Sequence, residues 1–315
     1  ARGRWAWRLR SCRGPRQIAA LGQGMFELRP DGGALLAGIE PHEALNDNKT
    51  YAVVWQPDTV LFKQEPNLRA TFNLGAGVDA VAGTIPAEMP LYRLEDAGMA
   101  EQMAEYALYG VLRAVGRFQP YEEQAREGKW KAHRPIDRRQ WPVAVLGLGA
   151  IGSKIAKVIA SLGYPVHGWS RRLHEADFPC YAGEQGLKEC VSASRILVNA
   201  LPLTPQTEGL INRDVLSNLQ PGGYLINVAR GGHLVDADVL EALKSGHLSG
   251  ALLDAFTQEP LPADHPYWGI PSVMITPHIS GITVRELALE QIGSRIELLQ
   301  ESKPASGRVD HSQGY

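Results

Sequence analysis

The sequence is poor in cysteine, has no long apolar run and carries almost no net charge. Its three cysteines, Cys12, Cys180 and Cys190, are scattered and form no metal-binding pattern. An odd, small number of cysteines favours a reducing compartment, so we expect a cytoplasmic protein without a disulfide framework. A net charge of −2 argues against a nucleic-acid partner. No apolar stretch reaches the roughly 20 residues of a membrane span, so we expect no membrane partner either.

The first 26 residues contain no acidic side chain. Six arginines precede Glu27, and frequent prolines and glycines interrupt any long helix. This composition allows a transit peptide, a nucleic-acid arm or an irregular terminus, and we favour the irregular terminus. We find no clean strand–helix pair here and expect regular structure to begin near Tyr51.

The most informative motif is a glycine-rich turn between a strand and a helix. Val143–Leu146 is an apolar run suited to a buried parallel strand, and Gly147, Gly149 and Gly152 follow as G-x-G-x-x-G. A helix is predicted from about residue 151 to residue 162. In a dinucleotide site the first glycine permits the turn, the second admits a pyrophosphate and the third lets helix and strand pack closely. The alternative is a purely structural turn.

The next predicted strand, Val166–Trp169, is followed by no acidic residue. An NAD site usually places Asp or Glu here to bind the ribose. This chain has Ser170, Arg171 and Arg172 instead. Guanidinium groups match a 2′-phosphate in charge and geometry, so we expect NADPH to be preferred over NADH. A solvated basic turn is the alternative interpretation.

Apolar runs alternate with helical stretches through the second half of the chain, which predicts a doubly wound parallel sheet of the Rossmann type. The predicted strands are Val143–Leu146, Val166–Trp169, Ile196–Ala200, Tyr224–Val228, Ala251–Ala255 and Val273–Ile275. The predicted helices are Ile151–Leu162, Gly186–Val191, Arg213–Leu219 and Ala237–Ser245.

The preceding part of the chain predicts a smaller α/β unit. Its strands are Tyr51–Trp55, Leu68–Leu74 and Pro90–Arg93, and a long helix over Met99–Phe118 follows them. The turn after the second strand, residues 75–78, could hold a carboxylate through its backbone N–H groups, although such a turn is often only structural. A last helix is predicted over 285–300.

Polar side chains follow three neighbouring strands of the predicted larger sheet. Arg230 comes after the fourth strand, Asp254 lies at the end of the fifth with Glu259 in the loop that follows, and His278 comes after the sixth. Arginine suits a planar carboxylate, and histidine beside a carboxylate suits proton transfer. Each residue alone could be an ordinary surface group. Because carboxyl ends of parallel strands share one edge, the combination predicts a redox site for a small oxo acid.

These motifs resemble the D-isomer-specific 2-hydroxyacid dehydrogenases, over about residue 45 to the end. The matching segments are Tyr51–Trp55 (YAVVW), Asn73–Asp79 (NLGAGVD), Leu91–Met99 (LYRLEDAGM), Leu146–Gly152 (LGLGAIG), Trp169–Arg172 (WSRR), Asn227–Gly231 (NVARG), Leu253–Phe256 (LDAF), Glu259–Pro262 (EPLP), Thr276–Ile279 (TPHI) and Gly307–Asp310 (GRVD). The similarity is strongest to members that reduce glyoxylate and hydroxypyruvate.

The resemblance implies a cofactor domain inserted into a smaller, flavodoxin-like substrate domain, with the active site in the cleft. On this basis residues 1–101 and 286–315 form the substrate domain, and residues 102–285 bind the dinucleotide. The resemblance also implies a homodimer formed through the cofactor domains.

The resemblance further implies roles for individual residues. The catalytic set is Arg230 as carboxylate anchor, Glu259 as partner of the histidine, and His278 as general acid. The implied cofactor contacts are Gly147, Gly149, Ala150, Ile151, Gly152, Ser170, Arg171, Arg172, Leu201, Pro202, Thr207, Val228, Ala229, Asp254 and His278. The implied substrate contacts are Trp55, Ala76, Gly77 and Arg230.

The predicted reaction is NADPH-dependent reduction of a small 2-oxo acid, glyoxylate to glycolate or hydroxypyruvate to D-glycerate. Ionised Glu259 would favour the imidazolium form of His278, which suits proton donation to the developing alkoxide. Two alternatives stay open. One is a non-catalytic NAD(P)-binding sensor related to corepressors, and the other is a dehydrogenase of another 2-hydroxy acid.

Overall fold

The computed structural model describes residues 51–310, except residues 56, 58–59, 65–66, 80 and 82. The predicted irregularity of residues 1–44 lies outside the described residues. The described chain divides into a smaller unit, residues 51–97 with 283–310, and a larger unit, Gly98–Ile282. The sequence analysis placed these boundaries at 101/102 and 285/286, and the assignment of the units to substrate and cofactor stays a prediction.

The larger unit is built on a seven-stranded parallel sheet. Its strands are β4 (Val143–Leu146), β5 (Val166–Ser170), β6 (Cys180–Ala182), β7 (Ile196–Asn199), β8 (Gly223–Asn227), β9 (Leu248–Leu253) and β10 (Val273–Ile275). Their order is β10-β9-β8-β7-β4-β5-β6. The direction of winding therefore reverses between β4 and β7, and ligands of such sheets bind at the carboxyl ends beside this reversal. The predicted α/β fold class with a Rossmann-type sheet is confirmed.

The central strands are mainly apolar because both faces are covered, although β7 and β8 each end in an asparagine. Every residue of β4, β7 and β8 is buried. The helices of this unit are α2 (Met99–Val115), α3 (Phe118–Arg126), α4 (Ala150–Ser161), α5 (Gly183–Ser192), α6 (Arg213–Asn218) and α7 (Asp236–Lys244). A continuous apolar run rather than an alternating one is the pattern of a parallel strand buried on both faces.

Two elements of the larger unit were missed by the sequence analysis. The sheet has seven strands rather than six, because the partly exposed β6 pairs with β5 at the sheet edge without an apolar run to mark it. The predicted helix over 99–118 ends at Val115, and Arg117, at φ 52°, separates it from α3.

The smaller unit contains a three-stranded parallel sheet of β1 (Tyr51–Val54), β2 (Ala70–Asn73) and β3 (Leu91–Tyr92). The short helix α1 (Val60–Gln64) lies between β1 and β2, and α8 (Arg285–Gln300) returns to this unit from the far end of the chain. Its small core contains apolar side chains of β1 and β3 together with Leu68, Val78, Val81, Ile85 and Val309. None of the described helices is both long enough and apolar enough to span a membrane.

Candidate active site

The glycine loop leaves open backbone where a pyrophosphate would bind. Gly147 has φ 95°, and a Cβ there would lie 2.7 Å from the carbonyl oxygen of Ala200. A Cβ on Gly152 would lie 1.7 Å from the Gly147 oxygen, so only glycine lets α4 start this close to β4. A Cβ on Gly149 would meet nothing within 4 Å. The loop therefore fits a dinucleotide, because a pyrophosphate can approach the backbone at Gly149 and the N-terminus of α4 favours an anion.

Residues 150 and 151 occupy that first turn, with Ala150 exposed and Ile151 half-buried. The loop is held by Ser153, whose hydroxyl donates to the Leu148 carbonyl at 2.9 Å. Both predicted contacts therefore lie at the positive end of a twelve-residue helix, where an anion is favoured.

The turn after β5 carries the predicted 2′-phosphate residues. Ser170 is buried, and its hydroxyl donates to the carbonyl oxygen of Arg172 at 2.6 Å. The side chains of Arg171 and Arg172 are exposed beyond it. Ser170 thus holds the shape of the turn, and the two guanidinium groups provide its charge.

The segment after β7 is tied together by Thr207. The Thr207 hydroxyl donates to the carbonyl oxygen of Pro202 at 2.7 Å and accepts from the backbone N–H of Thr204 at 2.9 Å. Leu201 is buried, and its N–H donates to the side-chain oxygen of Asn199 at 3.2 Å. Thr207 therefore shapes the segment that we call the β7 loop, residues 200–207.

The segment after β8, which carries Arg230, is held by buried Asn227. The Asn227 amide donates to the carbonyl oxygen of Arg230 at 3.0 Å, and its oxygen accepts from the side chain of Asn199 at 2.9 Å. Val228 and Ala229 are buried beside it. Two asparagines at the ends of adjacent strands therefore connect the β7 loop to the backbone of Arg230.

Close packing of backbone on backbone also holds this segment. A Cβ on Gly231 would lie 1.9 Å from the carbonyl carbon of Phe256, so no other residue fits without a shift. The guanidinium of Arg230 donates to the carbonyl oxygen of Ala229 at 2.9 Å. The contact between Gly231 and Phe256 joins the ends of β8 and β9, from which the next two site residues follow.

His278 and Glu259 form a direct pair. The Nδ1 atom of His278 lies 2.9 Å from Oε2 and 3.2 Å from Oε1 of Glu259. Glu259 also accepts a hydrogen bond from the backbone N–H of Phe256 at 2.9 Å. With Nδ1 held by the carboxylate, the opposite nitrogen, Nε2, is left for proton transfer, and both side chains are partly exposed.

The surroundings of Glu259 favour its ionised form. Partial burial pushes the pKa of Glu259 upward, but hydrogen bonds from His278 and Phe256 and the charges of His278 and Arg230 bring it below its usual value. Arg230 therefore contributes to the electrostatic environment of the Glu259–His278 pair. The roles of Arg230 as carboxylate anchor and of His278 as proton donor stay predictions.

The backbone around His278 is held in an unusual conformation. His278 has φ 54°, in the left-handed region that non-glycine residues rarely adopt, and its N–H donates to the Asp254 carbonyl oxygen at 2.8 Å. The Asp254 carboxylate, which is fully buried, accepts from Thr276, Ile279 and Ser280 at 2.6–2.8 Å. Strained backbone that persists under such constraint is typical of functional positions.

A tyrosine extends this support. Because the Thr276 hydroxyl gives its proton to Asp254, the Tyr106 hydroxyl donates to Thr276. Burial raises the pKa of Tyr106, which keeps it a donor. The family resemblance predicts that Asp254 contacts the cofactor. In the structure its carboxylate holds the His278 loop, and the cofactor contact stays a prediction.

The three predicted substrate contacts of the smaller unit lie where its strands end. Trp55 follows β1 and is partly exposed, and its ring lies against Gly75. Ala76 and Gly77 lie in the turn after β2, which Asn73 closes by donating to the carbonyl oxygens of Gly75 and Gly77 at 3.1 and 2.9 Å. The strand-end turn is present as predicted, and its contact with substrate stays a prediction.

Comparison with known proteins identifies the family. The model of the D-isomer specific 2-hydroxyacid dehydrogenase, NAD binding domain, matches residues 108–280. A glyoxylate/hydroxypyruvate reductase A of Serratia proteamaculans is 41% identical over 273 residues, covering 84% of this chain and 87% of the relative. The chain belongs to the D-isomer-specific 2-hydroxyacid dehydrogenase family. The resemblance inferred from its motifs is thus confirmed.

Solved structures of this dehydrogenase family include similar chains with cofactor bound. One is a 2-hydroxyacid dehydrogenase from Xanthobacter autotrophicus in complex with NADPH, at 38% identity and TM-score 0.83, covering 85% of this chain and 86% of that one. Another is the NADPH-dependent glyoxylate/hydroxypyruvate reductase from Sinorhizobium meliloti with NADP and sulfate. It shows 33% identity and TM-score 0.82, covering 88% of this chain and 90% of that one.

Several residues that build this dehydrogenase site were not predicted. Asn199, Asn227 and Gly231 position loops without being candidates for chemistry, and Tyr106 lies far from Thr276 in sequence. The two asparagines carried a usable signal, since each ends a buried apolar strand where an amide is costly unless it is hydrogen-bonded.

Proposed function

We propose that this protein reduces small 2-oxo acids with NADPH, converting glyoxylate to glycolate and hydroxypyruvate to D-glycerate. The observation that carries the proposal is the His278–Glu259 pair with the charge of Arg230 beside it, at the carboxyl edge of a dinucleotide-type sheet. The glyoxylate/hydroxypyruvate reductases named above, at 41% and 33% identity, support the substrate class.

The cofactor is held by residues that this chain presents around the reversal of the sheet. The glycine loop and the first turn of α4 accommodate the pyrophosphate, and Arg171 and Arg172 bind the 2′-phosphate. The β7 loop, Val228 and Ala229 line the rest of the cofactor. When bound, NADPH supplies the hydride that reduces the 2-oxo carbon.

Arg230 anchors the substrate. Its guanidinium binds the carboxylate of the 2-oxo acid, which fixes the orientation of the adjacent oxo group and stabilises charge as it develops. The packing of Gly231 and the hydrogen bonds of Asn227 hold the backbone that carries it.

His278 gives the proton. Nε2 of its imidazolium donates to the alkoxide that forms on the former oxo oxygen, while Glu259 holds Nδ1–H and stabilises the positive ring. The low pKa of Glu259 keeps that carboxylate ionised through the neutral range. In the reverse direction neutral His278 would accept the proton of the hydroxy acid.

Three finer statements also belong to the proposal. Trp55, Ala76 and Gly77 contact substrate, as the family motif implies. The scattered cysteines support a cytoplasmic location. The protein forms a homodimer through the larger unit, which is supported by exposed apolar side chains of α2, α3 and the segment after them: Tyr109, Leu112, Phe118 and Trp130. Light scattering tests this assembly, since Trp130→Ser with Phe118→Ser should yield monomers.

The function is tested by following NADPH consumption with glyoxylate, hydroxypyruvate and pyruvate in parallel, and by repeating each assay with NADH. Rapid turnover of glyoxylate and hydroxypyruvate, with kcat/KM higher for NADPH, is expected. Protein that binds NADPH but turns over none of these acids would contradict the proposal and favour a sensor.

A further inference from the structure

A fully buried histidine lies between the two loops of the larger unit that the proposed reaction uses. His233 ends the short 3₁₀ turn after Arg230 and is 0% exposed. Its Nδ1 atom lies 3.1 Å from the carbonyl oxygen of Arg230, and its Nε2 atom lies 3.2 Å from the carbonyl oxygen of Pro202. One ring therefore contacts the backbone of the anchor and the backbone of the β7 loop.

Each ring nitrogen of His233 lies beside a carbonyl oxygen, which can only accept a hydrogen bond. Carbonyl oxygens cannot donate, so each contact is a hydrogen bond only where the ring nitrogen carries a proton. A neutral ring donates to one carbonyl at a time, and a protonated ring donates to both. A buried polar ring is unfavourable unless it is hydrogen-bonded, and an apolar residue would fill the space without that requirement.

His233 connects the two segments at a different point from the hydrogen bonds between their backbones. The backbones of the two segments also pair further along, where Gly209 and Ile211 donate to the carbonyl oxygens of Gly232 and His233, each at 2.9 Å. Those bonds align residues 209–211 with the turn. The His233 ring reaches the start of the β7 loop at Pro202, whose carbonyl Thr207 also uses.

We propose that His233 is a positioning residue that sets the placement of the Arg230 anchor relative to the β7 loop. The inference deepens the proposed function and rests on it. Without the ring, the Pro202 carbonyl keeps its hydrogen bond from Thr207 and the Arg230 carbonyl keeps that from Asn227, but the link that the ring makes between the two carbonyls is lost. Cofactor binding and use of the oxo acid should therefore weaken together, although His233 touches neither ligand in the proposed scheme.

The experiment compares three single variants of the full chain. His233→Leu removes both polar contacts at similar bulk, and His233→Gln keeps an amide N–H₂ donor. The control is His247→Leu. His247 lies between α7 and β9 in the same unit, and its Nε2 atom is 2.8 Å from the carbonyl oxygen of Leu216. The measurements are Tm, the Kd for NADPH by nicotinamide fluorescence, and kcat and KM for glyoxylate.

We expect His233→Leu to raise both the NADPH Kd and the glyoxylate KM by about tenfold, the scale of one lost hydrogen bond of this kind. His233→Gln should recover part of both losses. His247→Leu should lower Tm while leaving Kd and KM within about twofold of wild type. If His233→Leu lowers Tm with the same unchanged constants, His233 is only structural and the inference is wrong.

Two outcomes separate this inference from the proposed function. If wild type binds NADPH but reduces no 2-oxo acid, the proposed function fails, while the effect of His233→Leu on the NADPH Kd still tests the link to the β7 loop. If His233→Leu does not fold, His233→Met, which also removes both polar contacts but has a more adaptable side chain, carries the test. A Met variant with wild-type NADPH Kd and wild-type glyoxylate KM would overturn the inference.

Discussion

In the larger unit, the fully buried Asp254 and His233 contact the backbone of the candidate site residues His278 and Arg230. In the smaller unit, a buried charged side chain instead connects segments of the unit's own backbone. That charge is Arg295 of α8, whose guanidinium donates to the Arg93 carbonyl oxygen at 2.6 Å and to Glu95 at 2.7 Å. Buried polar groups thus support the candidate site in the larger unit and hold chain segments together in the smaller unit.

The last described residues of the smaller unit make further hydrogen bonds with the segment around β3. Ser306 donates to the carboxylate of Glu95 at 2.6 Å. The N–H of Arg93 donates to the Gly307 carbonyl oxygen, and the N–H of Val309 donates to that of Leu91, so the tail lies beside β3. Changes to these contacts should alter the stability of the unit, whereas changes behind the larger unit's site should alter kinetic constants. The predictions that follow test this contrast.

The largest effect is expected at His278. His278→Gln keeps polarity but cannot donate a proton from an imidazolium, so kcat should fall by about 10²- to 10⁴-fold. The NADPH Kd should change little, because the ring's main described contacts are with Glu259. Steady-state kinetics and a fluorescence titration measure the two effects. A variant with wild-type kcat would remove His278 as the acid.

Arg230→Ala should reduce kcat/KM for the oxo acid by about 10²-fold or more, since a hydrogen-bonded charge pair with the substrate carboxylate is lost. Arg230→Lys should rescue only part of the loss, because a lysine lacks the planar fork. The anchor role would be refuted by a variant whose only defect is weaker NADPH binding.

Gly231→Ala should destabilise the larger unit by about 1–3 kcal/mol, because its Cβ would overlap the backbone of Phe256. The same backbone shift should lower kcat/KM, since Arg230 precedes this residue. Gly269→Ala is the matched control, as its Cβ would meet nothing within 4 Å. Urea unfolding and steady-state kinetics measure both effects, and equal behaviour of the two variants would contradict the packing argument.

Exchanging Arg171 and Arg172 for alanine should lower kcat/KM with NADPH by about tenfold while leaving the value with NADH nearly unchanged. Both side chains are exposed, so stability should not change measurably. Assays with each cofactor give the ratio. Equal losses with NADPH and NADH would argue against a 2′-phosphate site at this turn.

The smallest effect is expected at Glu95. Burial raises its pKa, but Ser306, Arg295 and Arg93 together bring the pKa below the ordinary value of 4.5. Folding therefore favours the ionised form, and the stabilisation is present above about pH 4.5 and is lost as pH falls through the lower, folded-state pKa. Glu95→Gln should remove the part of the fall in Tm below about pH 4.5 that is due to this carboxylate. Exposed Glu88→Gln, in the same unit, should retain it.

Much of the fold could be predicted because buried parallel strands leave continuous apolar runs. The strands at Val143 and Val273 and the helix at Arg285 were placed with the bounds that the structure gives them. β6 was missed because an edge strand of three half-buried residues leaves no such run.

The candidate site likewise contains residues that the sequence predicts and supporting residues that it does not. Arg230, Glu259 and His278 could be found because residues with reactive side chains follow consecutive strands, and the pairing of Glu259 with His278 is now described. The supports could not be found, because the contacts of Gly231 with Phe256 and of Tyr106 with Thr276 depend on how distant segments pack. The left-handed backbone at His278 likewise has no sequence signal, since no glycine marks it.

The most direct test of the account is the product formed from hydroxypyruvate and NADPH by the wild-type protein. Chiral analysis should find D-glycerate in an amount equal to the NADPH consumed, and the His278→Gln variant should form little of it. L-glycerate, or NADPH consumption without glycerate, would contradict the account.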